Sequence, residues 1–94
     1  MSGLVELGRV VATPSALEVL DQQGASPLDL LQRHESGDWS EVCAADAREN
    51  VRALKNGLRV LSVYETNPCG VSRRVWIITE ADRSSTCLLL PNEY

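Results

Sequence analysis

The sequence predicts an α+β fold, in which an antiparallel sheet of three to four strands packs against three short helices. Three runs rich in β-branched and aromatic residues fill the C-terminal third of the chain, and turn-like stretches separate them. Two proline-led segments, T-P-S-A-L-E-V-L and S-P-L-D-L-L, have the start signals of helices. An N-terminal strand plus a C-terminal meander would therefore form the sheet, with the helices inserted between strand 1 and strand 2.

Local signals set the bounds of the first strand and the first helix. Residues 4–12, L-V-E-L-G-R-V-V-A, are rich in β-branched residues and predict a strand that is bent or bulged at Gly8. Thr13 is a suitable helix N-cap, Pro14 suits the first helical position, and Gly24 ends the helix.

A second helix starts in the same way at Ser26 and ends in R-H-E-S-G-D-W, residues 33–39. Arg33 and His34 fall in its last turn, where a cation interacts favourably with the helix dipole. The glycine that follows suits a helix exit, and Trp39 is expected to fold back as its apolar contact. This segment is therefore interpreted as a joint between helices.

A third helix is predicted over residues 44–56, ended by Gly57. Its N-cap stays open, because Cys43 occupies the usual position of the cap and Ser40 competes with it.

Three strands are predicted after the helices, and two of them have apolar residues on both faces. Side chains alternate along a strand, so Trp76 and Ile78 point away from Val75 and Ile77. In the last strand Leu88 and Leu90 similarly oppose Cys87 and Leu89. The strands cover residues 58–66, 73–80 and 85–91.

Apolar groups on both faces leave more surface to cover than three short helices can shield. Either the first strand and the long connections wrap around the second face, or that face meets a partner, most simply a second copy. On the second interpretation Trp76, Ile78 and Leu89, or their neighbours on the opposite face, are binding residues, and the chain is a homodimer. A misread strand register is the third alternative.

Length and charge restrict the classes of partner. Ninety-four residues predict a single domain over residues 1–94. The net charge is −4 and Lys55 is the single lysine, so direct binding to nucleic acid is not expected. Acidic residues are concentrated between positions 35 and 49, where Glu35, Asp38 and Glu41 are candidates for a second protein contact.

No cofactor or metal site is predicted. Cys43, Cys69 and Cys87 are widely spaced, without a C-x-x-C pair or a second histidine, which predicts free thiols. The chain has no secretory pattern and no apolar stretch near 18 residues, so we expect a cytoplasmic protein without membrane contact.

Two groups of residues suggest an enzyme as the alternative class, a small hydrolase or nuclease. One is His34 with Asp38, and the other is Glu80 with Asp82 and Arg83. No nucleophile elbow accompanies either group, and a helix end and a hairpin turn explain the same residues.

Four segments together resemble a family of small bacterial proteins encoded on plasmids and other mobile elements, with the ending the most specific. They are L-G-R-V-V-A-T-P-S-A-L-E-V-L, S-P-L-D-L-L-Q-R-H-E-S-G-D-W, R-E-N-V-R-A-L-K-N-G-L-R-V-L-S-V-Y-E-T and V-W-I-I-T-E-A-D-R-S-S-T-C-L-L-L-P-N-E-Y. The sequence departs from the family pattern near Cys43 and in N-P-C-G-V. The resemblance implies no catalytic residue. It favours a non-enzymatic protein-binding module, an inhibitor or regulator of a host or defence protein.

Overall fold

A computed structural model describes residues 5–39, 44–66 and 74–93. Within these ranges the chain forms strand β1, helices α1 to α3, strands β2 to β4 and a terminal 3-10 helix. Their bounds, in chain order, are Arg9–Ala12 (β1), Pro14–Gln23 (α1), Pro27–Glu35 (α2), Ala44–Asn56 (α3), Val60–Glu65 (β2), Arg74–Thr79 (β3), Ser85–Leu89 (β4) and Pro91–Glu93 (3-10).

The predicted α+β class is confirmed, but the sheet is mixed. Its strand order is β1-β4-β3-β2, and β2, β3 and β4 form the predicted antiparallel meander. β1 pairs with β4 in parallel, so the prediction of an antiparallel sheet is wrong for that strand. The three α-helices lie between β1 and β2 along the chain, whereas the 3-10 helix follows β4 and was not predicted.

The first strand is shorter than predicted because Gly8 turns the backbone before it. Gly8 has a φ of 62°, and a Cβ at this position would lie 2.4 Å from the carbonyl oxygen of Arg83. Only glycine avoids that contact. The regular strand therefore starts at Arg9, whose N–H donates to the carbonyl of Ser84.

Helix signals in the sequence place α1 and α3 well. The Thr13 hydroxyl accepts from the N–H of Ala16 at 3.1 Å, and Gly24 ends α1 in the left-handed conformation. Ser26 occupies the N-cap of α2 but its side chain makes no capping hydrogen bond. The predicted caps of α3, Cys43 and Ser40, lie outside the described residues.

The main core lies between the sheet and helices α1 and α2. We call the side of the sheet that these helices cover the helix face. Its core cluster joins apolar residues of both helices to Tyr64, Val75, Ile77, Leu88 and Leu90. Burial of these residues confirms the alternation predicted for β3 and β4.

α3 packs at the β2 edge of the sheet. Its Asn50 side chain donates to the carbonyl of Leu61 at 2.7 Å and accepts from the N–H of Leu61 at 3.1 Å. Ala53 joins a second buried cluster with Val5, Trp39 and Val60. Helix α3 thus closes one edge of the sheet, while α1 and α2 cover one face.

Candidate functional site: the second face of the sheet

The side of the sheet opposite the helix face has two rows of apolar side chains, which we call the apolar face. The strand registers align one row across all four strands and a second row across three of them. The first row is Leu61, Ile78, Cys87 and Val11; the second is Val63, Trp76 and Leu89.

Residues of the apolar face lie outside the two core clusters that the described residues form, although Ile78 and Leu89 are buried. Val11 is 40% exposed and Trp76 is half-buried, whereas Ile78 and Leu89 are 5% and 7% exposed. β1 cannot wrap over this face, because it is itself the edge strand beside β4.

Two pairs of opposite charges border the apolar rows. Glu65 and Arg74 are in register beyond the second row, and their side chains approach to 3.9 Å. Arg59 and Glu80 follow the last register pair at the other end and form an ion pair at 3.2 Å. Each ion pair is therefore electrically neutral, and all four side chains are substantially exposed. Arg9 of β1 is in register with Ser85, so it lies on the same face in line with the Arg59–Glu80 pair.

A groove of about 190 Å³ continues the apolar face at its β2 margin. α3 forms its outer wall, with Asp46 and Glu49 at the rim, and Leu61 and Val63 line its floor. The groove therefore widens the apolar face toward α3.

The helix face holds a fully buried chain of polar side chains, centred on His34. The Nδ1 atom of His34 lies 2.5 Å from the Ser62 hydroxyl, and Nε2 lies 2.8 Å from the Thr79 hydroxyl. Thr79 contacts the Thr86 hydroxyl at 2.7 Å, and Thr86 donates to the carbonyl of Leu7 at 2.7 Å. All four side chains are 0% exposed.

The carbonyl at the end of this chain fixes the direction of every hydrogen bond. A carbonyl only accepts, so Thr86 donates to Leu7 and must accept from Thr79. Thr79 in turn accepts from the Nε2–H of His34. Nδ1 is then unprotonated and accepts from Ser62. The neutral Nε2–H tautomer of His34 thus gives every group in this hydrogen-bonded series a donor or acceptor.

Burial, and to a smaller extent the positive charge of Arg83, lower the pKa of His34 to about 4. The imidazole is therefore neutral near pH 7. The predicted role of His34 as a cation at the end of α2 is wrong for this reason, although its position in the last turn is confirmed.

The other residues of the α2 exit also have structural contacts. Arg33 pairs with Asp38 at 2.7 Å and stacks over the ring of Tyr64, whose hydroxyl donates to the carbonyl of Asp38. Trp39 is 9% exposed and packs in the second cluster, and its buried indole N–H has no acceptor among the described residues. His34 has no exposed surface from which to act with Asp38 on a substrate.

Among the predicted acidic contacts, Glu35 and Asp38 are half-buried, and the backbone carbonyl of Glu35 accepts from Val5. Glu41 lies outside the described residues. Asp46 and Glu49, farther along the same acidic segment, line the groove beside the apolar face.

The second enzyme-like group is distributed over a turn. Arg83 donates to the carbonyls of Leu58 at 2.6 Å and Ala53 at 3.2 Å, which ties the β3–β4 turn to the end of α3. Hydrogen bonds from Ser84 hold the pKa of Asp82 below its usual range, and Glu80 pairs with Arg59. These contacts give all three residues structural roles, so no catalytic role is needed to account for them.

Thiol and metal chemistry is limited in the described ranges. Burial raises the pKa of the Cys87 thiol, with the carboxylates of Glu93 and Glu80 adding to the effect. Cys43 and Cys69 lie outside these ranges, and within them no cluster of three or more metal-ligand side chains occurs. No helix in the described part of the chain has the length and apolar character that crossing a bilayer requires.

Two features of the site escaped the sequence analysis. The buried partners of His34 lie 28 and 45 residues away along the chain, so no local pattern indicates them. The charged borders were visible only as scattered residues, although alternation already placed Glu80 on the same side as Trp76 and Ile78.

Comparison with protein-family models, with curated proteins and with solved structures gives no match for this chain. The site is therefore interpreted from its own geometry.

Proposed function

We propose that this chain is a non-enzymatic protein-binding module and that the apolar face is its binding surface. The supporting observation is an apolar surface of two rows, bordered by charged pairs, that belongs to neither core cluster. Protein interfaces have this composition, an apolar centre inside a polar rim. Trp76, Ile78 and Leu89 form the centre of the surface.

The enzyme alternative receives less support from the same contacts. His34 is engaged at both ring nitrogens inside the core, and Arg83 holds backbone carbonyls. The resemblance to mobile-element proteins and the net charge of −4 support a regulatory or inhibitory role toward a basic host or defence protein. In that role Asp46 and Glu49, which line the groove beside the apolar face, would provide a second contact for the host protein.

The first test measures whether Trp76 is accessible in the dissociated chain. Trp39 and Trp76 are the two tryptophans, so Trp76→Phe leaves only the buried Trp39 as a fluorophore. Subtracting the fluorescence of this variant from that of wild type gives the signal of Trp76. The decrease of that signal with added acrylamide measures how accessible Trp76 is. In the monomer we expect much faster quenching of Trp76 than of Trp39.

The control variant adds a charge at another exposed apolar residue. Trp76→Glu should abolish association and the binding of an apolar dye, whereas Leu28→Glu on α2, at a side chain that is 69% exposed, should change neither. A monomer in which Trp76 is as well protected as Trp39 would mean that the chain covers this face itself, and the proposal would fail.

A further inference from the structure

We infer that the apolar face binds a second copy of the same chain, face to face, about a two-fold axis that runs across the strands. This inference rests on the proposed function, because it names the partner of the same surface. The arrangement of charges and apolar rows about the middle of the sheet supports it.

Across β2, β3 and β4, the apolar face is symmetric about one register line. Ser62, Ile77 and Leu88 are in register across β2, β3 and β4 and point to the helix face. The two apolar rows lie one residue to either side of this line on the opposite face. The charged pairs lie three residues to either side. On the apolar face, each of β2 and β3 therefore has two apolar residues in the middle and one charged residue at each end.

The charges at the two ends of each strand have opposite signs. β2 has Arg59 at one end and Glu65 at the other, while β3 has Glu80 and Arg74. A two-fold axis over the register line exchanges the ends. Arg59 of one copy then lies over Glu65 of the other, and Glu80 over Arg74. The four charges of β2 and β3 thus meet opposite charges, which favours an isologous contact.

The same axis matches the apolar rows. It places each strand over its own copy, so the row with Leu61 and Ile78 meets the row with Val63 and Trp76, and Cys87 meets Leu89. All four strands then contribute to the contact. An axis parallel to the strands also matches the charges, but only if centred between β2 and β3, where it places β4 against α3 and leaves half of the sheet uncovered.

Sheet geometry permits these contacts. Facing sheets in sandwiches pack within about 30° of alignment, and the charged pairs lie about 10 Å from the central line. Such a rotation displaces the charges by about 5 Å, a distance that Arg and Glu side chains span. An unlike partner with a single sign of charge would gain little at these two ion pairs, since each pair is neutral.

The size of the surface indicates the strength of association. Four strands with these rows cover a projected area on the order of 400 Å², below the roughly 800 Å² per partner of a standard interface. We therefore expect a micromolar dimer. Sedimentation velocity of the full chain should be measured from low to high micromolar concentration at low ionic strength, where the charges are least screened.

The decisive experiment exchanges the charges at one border. The double variant Glu65→Arg/Arg74→Glu keeps the net charge and the ion pair within the chain. Across the proposed axis it places like charges together, so we expect the dissociation constant to rise about tenfold or more. Adding Arg59→Glu and Glu80→Arg exchanges the other border as well, and this fourfold variant should regain wild-type affinity.

The outcomes separate this inference from the proposed function. Loss of affinity in the double variant and recovery in the fourfold variant support it, provided that circular dichroism and melting temperature match wild type. A double variant that dimerises like wild type overturns the axis. A wild-type monomer at every concentration overturns the second copy as the partner, and fast acrylamide quenching of Trp76 in that monomer would leave the proposed binding surface intact.

Discussion

The two faces of this sheet differ in how they combine polar and apolar side chains. Beside its apolar core, the helix face buries a serine, two threonines and a histidine at 0% exposure, whereas the opposite face is apolar along both rows and partly exposed. Buried polar groups are tolerated when each has a hydrogen-bond partner, and the series of hydrogen bonds from Ser62 to Leu7 provides one for each. The presence of polar residues therefore does not keep a face out of the core when each has a partner.

Replacing His34, the centre of the buried polar side chains, is the strongest test of the difference between the two faces. His34→Ala leaves the hydroxyls of Ser62 and Thr79 without their partner and opens a cavity, so we expect a loss of about 3–5 kcal/mol in the free energy of unfolding. Leu61→Ala on the apolar face should cost about 1 kcal/mol in the monomer. Urea denaturation at low protein concentration measures both. Equal losses would remove the distinction between the faces.

The second-largest effect is expected at acid pH, where protonation linked to His34 should lower the free energy of unfolding. The pKa of His34 is about 4 in the folded chain and 6.5 in the unfolded chain, so the unfolded state takes up a proton first as the pH falls. The contribution is present above pH 6.5 and is lost as the pH falls to 4, by about 3 kcal/mol. Denaturation of wild type and His34→Gln between these values isolates this effect, because the glutamine variant lacks the titrating group. A parallel pH dependence in both would contradict it.

A smaller effect is expected from the removal of a single hydroxyl from the hydrogen-bonded series around His34. Thr79→Val keeps the side-chain shape but leaves the Nε2–H of His34 without its acceptor, at a cost of about 2 kcal/mol. Thr79→Ser retains the hydroxyl and should lose less. Combined with His34→Ala, the valine variant should add much less than its separate cost, since the two share one interaction. Full additivity in a double-mutant cycle would argue against a connected chain.

The smallest effect on stability should occur on the apolar face. Val63→Thr places a hydroxyl at a half-exposed position, and we expect less than about 0.5 kcal/mol in the monomer. Val75→Thr, at a residue with 0% exposure on the other side of the sheet, should cost about 1–3 kcal/mol. Val63→Thr should nevertheless weaken dimerisation in sedimentation experiments. If the two threonine variants are equally unstable, the apolar face is buried within the monomer.

The sequence predicted most of the elements because their signals are local. Pro14 and Gly24 bound α1, the range 44–56 matches α3, and alternation separates Val75 and Ile77 from Trp76 and Ile78. Each of these signals depends on neighbours within a few residues. The first strand was predicted too long because the close approach of Gly8 to Arg83 involves a residue far along the chain.

The candidate site was predicted only in part. Trp76, Ile78 and Leu89 were correctly assigned to one side of the sheet from their spacing, but that side became a continuous surface only through the registers of four strands. The segment from Arg33 to Trp39 was correctly interpreted as a helix exit. Its histidine was assigned a charge that burial removes.

By itself, the sequence determined which segments form helices and strands and which side chains share a face, because caps, turns and alternation act over a few residues. The tertiary structure alone decided that β1 joins β4 in parallel, that His34 meets hydroxyls from two distant strands, and that opposite charges border the apolar face at both ends. These outcomes depend on strand pairing between distant segments, and the free energy that selects a pairing comes from the whole packed sheet.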